Sequence, residues 1–342
     1  MRSSFVFGAA LLLSGIFIGW LLPIPDPFFD PAQISASRGG LIRENSESFE
    51  YIKPLLACEI GSMDSFPELA GMRSEVNRYI TGQLLRRKAL NASVYYRDLN
   101  TGQWFVVNGD KKYAPASLLK VFVMMAYFKE ADKTDDPARL DREIAFDKTY
   151  DANDSLPGEE FPHLVKGAHY SVGQLIEQMI SYSDNEAFYT LADHFDTNTN
   201  KYFELIFKDL NIPSPVGRNE KSLYAMSVGD YSLPFRVLYG STYLSERYSE
   251  RALSLLSRSH FREGIVAGVP ASVKVAHKFG VINAPMQDGS ITPNELHDCG
   301  VVYNKSAPYF LCIMTEGKDL RPLQETIQGV SDIVYREMTK QR

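Results

Sequence analysis

Residues 118–131, LLKVFVMMAYFKEA, read as a helix that is apolar nearly all round. A helix with one apolar stripe can lie on a surface, but one that is apolar on every side has to be covered on every side. The fold must therefore wrap other elements around this segment, as a layered domain does. The chain has the material for it, with 342 residues of which 44% are hydrophobic, enough for one large or two small domains. Ser117 and Lys120 stand at the start of the run, three residues apart and so on one face of the first turn. The serine feels the positive end of the helix dipole, and a lysine desolvated there acquires a depressed pKa and can take the serine's proton. Taken alone, the pair serves equally well as a capping serine and a snorkelling lysine, since a chain of this size contains about one S-x-x-K by composition.

The flanks supply the cover. MRSEVNRYITGQLLRR (72–87) is amphipathic at helical spacing. ASVYYRDL (92–99) and QWFVVN (103–108) alternate like strands and meet across Asn100, Thr101 and Gly102, a hairpin. Ser171 reads as the N-cap of VGQLIEQMISYS, EAFYTLADHF continues as a helix, and GDYSLPFRVLYG follows with Pro234 expected in its first turn. Three strand-like runs come late, SVKVAHKFG (272–280), GVVYN (300–304) and PYFLCIMT (308–315), before an amphipathic closing helix. This order predicts an α+β fold in which N- and C-terminal strands share one antiparallel sheet, flanked by helices with a helical subdomain.

Two further clusters carry chemistry. Ser183, Asp184 and Asn185 lie between two helical stretches, a tripeptide expected in about 0.1 chains of this composition. As a plain turn it needs only a capping Asp or Asn. Lys278, Phe279 and Gly280 end an otherwise apolar strand, where a glycine lets another backbone approach; an edge lysine reaching solvent is the simpler alternative. In this order S-x-x-K, S-D-N and K-x-G resemble the signature motifs of class A β-lactamases and penicillin-binding proteins, over roughly residues 65 to 340. The resemblance implies a β-lactamase/transpeptidase-like fold and a role for each residue. Ser117 is the acylated nucleophile, Lys120 its base or relay, and Ser183 the proton carrier to the leaving nitrogen. Asn185 positions the substrate amide, Lys278 supplies positive charge, and the Ser117 and Val281 N–H groups form the oxyanion hole beside Gly280. Two lysines in one cleft are expected to depress each other's pKa.

The pattern departs from the family twice. Phe279 stands where the family has a hydroxyl that binds the substrate carboxylate, and its ring could point into the cleft or away from it; His277 is one group that could substitute. The family's deacylating Glu lies in E-x-x-L-N; the nearest match is EKSLY, where Glu220 and Leu223 fit and Tyr224 replaces Asn. Glu159 and Glu160 precede S-D-N and are worse placed. The readings left are a β-lactamase-related serine hydrolase, a D,D-carboxypeptidase or transpeptidase of cell-wall peptides, and a non-catalytic surface binding protein on the same fold.

Residues 5–22 carry no charge and are nearly long enough to cross a bilayer. Pro23, Pro25 and Pro27 occupy the place of a cleavage site, which favours a retained anchor over a secreted product. The expected plan is an anchor in 1–25, a stalk in 26–64, and a monomeric catalytic domain in 65–342 that is exported beyond the cell membrane. Cys58 is expected to bridge Cys299 or Cys312, tying the extension to the domain. No histidine or cysteine spacing suits a metal, no cofactor motif appears, and a net charge of −6 without a basic stripe argues against nucleic acid. A β-lactam or cell-wall peptide is the partner that remains.

Overall fold

The computed structural model describes residues 41–43, 49–58, 66–150, 162–215, 224–282, 293–304 and 307–340. The apolar run 5–22, Glu159, Glu160 and Glu220 lie outside the described residues. Among the described residues no helix is long and apolar enough to cross a membrane.

Short strands β1 (Leu41–Arg43) and β2 (Leu55–Cys58) pair with each other. Helix α1 (Ala70–Leu85) leads into the hairpin of β3 (Asn91–Asp98) and β4 (Trp104–Val107). The hairpin turns because Asp98 Oδ1 accepts the N–H groups of Asn100 and Thr101, at 2.8 and 2.7 Å, and because Gly102 takes a φ of 78°. Helix α2 (Lys120–Thr134) is followed by the hairpin β5 (Glu143–Ala145) and β6 (His169–Ser171). Helices α3 (Val172–Ser181), α4 (Asn185–Asp193), α5 (Thr197–Asp209), α6 (Val228–Tyr239) and α7 (Glu246–Leu256) complete the middle of the chain. Strands β7 (Lys274–Ile282), β8 (Asn294–Tyr303) and β9 (Tyr309–Gly317) precede the closing helix α8 (Leu320–Lys340).

Five strands make one antiparallel sheet in the order β4-β3-β9-β8-β7, so the early hairpin joins the late strands as the element order predicts. Strand alternation divides its side chains between two cores. Val94, Tyr96, Leu311 and Ile313 pack with Met72 and Val76 of α1 and Leu323 and Ile327 of α8. Tyr95, Phe310, Cys312 and Met314 pack with α2 and the helices around it. From Val121 to Phe128 no α2 residue is more than 3% exposed, as its all-round apolarity requires. Each large side chain buried there contributes about 1.5–3 kcal/mol.

Other elements depart from the predicted order. The hairpin β5–β6 is too short to carry a periodic signal, whereas α5 and α7 do carry one that the predicted order leaves unused, with Phe203, Ile206 and Phe207 on one face of α5 and Tyr248, Ala252, Leu255 and Leu256 on one face of α7. Strand β8 starts at Asn294, ahead of the apolar GVVYN, because its first half is polar and buries those groups against specific partners. Pro234 lies inside α6, past its first turn. The helix starts earlier, at a capping box in which Ser227 Oγ accepts the Asp230 N–H and Asp230 Oδ2 accepts the Ser227 N–H.

Residues 49–55, within the extension, run along α6 and α7. Glu250 accepts the N–H groups of Glu50, Tyr51 and Ile52, Lys53 N–H bonds Tyr239 O, and Tyr303 OH donates to Tyr51 O.

The disulfide joins Cys299 to Cys312, with S–S 2.08 Å, and this corrects the expected bridge from Cys58. The two late cysteines sit directly opposite each other on β8 and β9, a proximity set by strand register and invisible in sequence spacing. Alkylation of the unfolded, non-reduced protein is therefore expected to leave the Cys299 and Cys312 peptides unlabelled. Label on Cys299 or Cys312 would contradict this pairing.

Candidate active site

Ser117 is half-buried in a 3-10 turn, Ala116–Leu119, that runs straight into α2. The turn is held on several sides. Tyr113 exchanges backbone hydrogen bonds with Met226, and the buried Tyr231 hydroxyl donates to Leu118 O at 2.9 Å. Ala116 has a φ of 50°, a left-handed conformation that a side-chain-bearing residue keeps only when its surroundings fix it. Gly280 explains how β7 comes so near: a Cβ there would lie 2.8 Å from Pro115 O and 3.3 Å from Ala116 Cβ.

One turn on, Lys120 is 2% exposed. Among the described residues its ammonium donates to the Ser183 carbonyl, to Asn185 Oδ1 at 2.6 Å and to Ser183 Oγ at 3.3 Å. Burial pushes its pKa down to about 7, against the opposing pull of the Asp184 carboxylate. The expectation of mutual depression by a second lysine is thus corrected, since the cause is desolvation.

S-D-N divides its labour. Asp184 is the N-cap of α4, accepting the Ala187 N–H at 3.1 Å, and it also accepts from Gln178 Nε2 at 3.1 Å. The turn before it puts Ser183 at a φ of 60°, and Ser183 and Asn185 both face Lys120. From the far side Lys278, fully buried on β7, donates to Ser183 Oγ at 2.8 Å and to Phe279 O at 3.1 Å. Ser183 Oγ thus accepts from two amines, and its own proton is the bond it has left to give.

Phe279 points away from the nucleophile turn. Its ring is 6% exposed in the core shared with α1 and α8 and stacks on Phe261 at 4.2 Å, with Lys278 Nζ 4.3 Å from its centroid. Residue 279 itself thus offers the cleft no hydroxyl. His277 cannot stand in for one: it lies on the Phe279 face of the strand, 1% exposed, with Nδ1 2.8 Å from Asp298 Oδ1. Val281 is half-buried at the end of β7, paired with Leu296.

These groups come from α2, the α3–α4 turn and β7, remote in the chain and joined at Ser183. A model of the beta-lactamase enzyme family matches residues 73–338, a span that contains all of them. The chain belongs to the beta-lactamase enzyme family. Among solved structures with the same fold is PBP-A, with 22% identity and a TM-score of 0.62 over 80% of this chain and 97% of that one. The class A beta-lactamase from Mycobacterium abscessus shows 19% identity and a TM-score of 0.61 over 77% and 99%. The TLA-1 extended-spectrum beta-lactamase shows 16% identity and a TM-score of 0.64 over 78% and 99%. No curated protein matches the sequence.

The beta-lactamase-like motifs mark Ser117, Lys120, Ser183, Asn185 and Lys278, which the fold brings together around Ser183, but not the groups that support them. Tyr231 was hidden in a helix that reads as ordinary amphipathic packing. The buried His277–Asp298 pair joins residues 21 apart that only strand register brings together. Asp298 and its neighbour His297 do point to opposite faces, as alternation requires: Asp298 Oδ2 accepts the Ile265 N–H at 2.8 Å, and His297 faces the nucleophile turn.

Proposed function

We propose that this chain is a serine hydrolase that opens β-lactam or peptide-like amide bonds through an acyl-enzyme on Ser117. The observation that carries the reading is the Ser183 hydroxyl accepting from both Lys278 and Lys120, one helical turn from Ser117. On losing a proton Lys120 gives up its 3.3 Å bond to Ser183 Oγ, keeps its two N–H groups on Asn185 Oδ1 and Ser183 O, and gains a lone pair that can take the Ser117 proton. Ser117 Oγ then bonds to the amide carbon. The oxyanion forms against the N–H groups of Ser117 and Val281, an interaction often worth several kcal/mol. As the C–N bond breaks, Ser183 gives its proton to the nitrogen and is reprotonated through the lysines. Lys278 supplies the positive charge for an anionic substrate without help from residue 279. Water then hydrolyses the ester, with Glu220 as its base.

A pH profile follows from Lys120. Its pKa is lowered to about 7, so the amine is protonated, and idle as a base, below that value. The acylation rate is expected to fall about tenfold per pH unit below pH 7 and to level off above it. A rate independent of pH between 5 and 7 would contradict Lys120 as base.

Tyr224 favours a second reading. It stands where the family's motif has Asn beside the deacylating Glu, and its hydroxyl is committed to Pro213 O at 2.8 Å. Poor deacylation would make the chain a D,D-carboxypeptidase or transpeptidase of cell-wall peptides. A chromogenic cephalosporin separates the readings. Sustained turnover supports hydrolysis, a stoichiometric burst that stalls supports the peptidase, and neither, with any acylating probe, leaves a binding protein.

We place the domain outside the cell membrane, as a monomer held by residues 5–22 through a stalk. The apolar run supports this, and so does a disulfide, which persists in oxidising compartments.

A further inference from the structure

The nucleophile turn has a second set of supports, from the polar first half of β8. Ala114 lies three residues before Ser117. Its N–H donates to Glu295 Oε2 at 3.0 Å, and its carbonyl is 3.1 Å from His297 Nε2. One alanine is thus held at both ends by residues two apart on one face of a strand. The same His297 Nε2 is 3.1 Å from Glu295 Oε2, which ties the two clamps to each other. The third partner fixes the tautomer. His297 Nδ1 accepts the Thr315 N–H at 3.3 Å, so the ring proton sits on Nε2, shared between Ala114 O and the Glu295 carboxylate. Tyr113 packs edge-on against the His297 ring, centroids 5.3 Å apart, and its hydroxyl donates to Ser93 Oγ, whose own proton goes to Asn108 O.

The placement gives the clamp its purpose. His297 pairs with Gly280 across β7 and β8, and Gly280 is where the strand touches Pro115 and Ala116. The clamp therefore grips the chain just before the left-handed Ala116, the residue that leads directly into Ser117. His297 is fully buried and its three polar contacts are all used within the fold, so it is no proton carrier for substrate.

We propose that Glu295 and His297 are positioning residues for acylation, which hold the Tyr113–Ser117 turn so that Ser117 Oγ meets the substrate carbonyl. The claim rests on Ser117 being the acylated nucleophile, and two readouts keep the two ideas apart. In His297→Leu and Glu295→Leu the first-order acylation step by a β-lactam is expected to fall about 100-fold while the dissociation constant of the encounter complex stays within about threefold, as for a misplaced reactive atom. His297→Gln, whose Nε2 can still reach Ala114 O, is expected to recover to within about tenfold of wild type. Hydrogen exchange of the peptide spanning residues 113–118 is the second readout and needs no acylation. It should speed up in the two leucine variants more than exchange in β3 and β9 does. If wild type is not acylated but this exchange response appears, the catalytic reading fails and the clamp on the turn stands. If the leucine variants acylate at the wild-type rate, or if exchange rises equally throughout the sheet, the positioning role is overturned.

Discussion

Lys120→Met is expected to lower the rate of Ser117 acylation about 1,000-fold, within the range set by removing a general base, while leaving the fold at least as stable as wild type near neutral pH. The combination follows from burial. Lys120 is 2% exposed, and desolvation pulls its pKa to about 7. A protonated amine there carries a cost that a methionine of similar length does not. The change leaves Asn185 Oδ1 and the Ser183 carbonyl short of a donor, which offsets part of the gain. Activity and stability should therefore part company: acylation collapses while the thermal midpoint stays or rises. A structural lysine would do the opposite, with acylation retained and the midpoint lowered. Stopped-flow acylation and calorimetry on one variant decide between them.

Gly280→Ala is expected to cost about 100-fold in acylation and about 1–3 kcal/mol in stability. The added methyl would lie 2.8 Å from Pro115 O, 3.2 Å from Leu118 Cγ and 3.3 Å from Ala116 Cβ. Two of the three neighbours belong to the left-handed turn that presents Ser117, and the nearest is backbone, which cannot rotate away. Either β7 retreats and takes Lys278 with it, or the turn shifts and takes Ser117. Gly82→Ala on α1 is the control. A Cβ there meets nothing within 4 Å, and removing a helical glycine should stabilise by about 0.5–1 kcal/mol without touching acylation. Equal behaviour of the two variants would mean that the contact at Gly280 does not position the site.

The motifs at Ser117, Ser183 and Lys278 were legible because each is local, a few residues of fixed spacing on one element. The sheet was legible because β3, β4, β7 and β9 alternate or run apolar. What stayed hidden was long-range pairing. The Cys299–Cys312 bridge, the Glu295–His297 grip on Ala114 and the His277–Asp298 pair all depend on which strand lies beside which, and in what register. A polar strand half such as NELHDC has no hydrophobic period to announce it, because its buried groups are stabilised by particular partners instead of by transfer from water. The direction of Phe279 was open for a related reason. One strand residue points to either face, and only the stack on Phe261 shows which.

Intact-mass spectrometry after exposure to a panel of β-lactams tests the central claim most directly, with Ser117→Ala treated in parallel. The account predicts a mass gain equal to the lactam on the wild-type chain, carried by the peptide that contains Ser117, and no gain in the variant. Wild type that neither gains this mass nor hydrolyses any lactam of the panel, or a variant that gains the same mass, would contradict it.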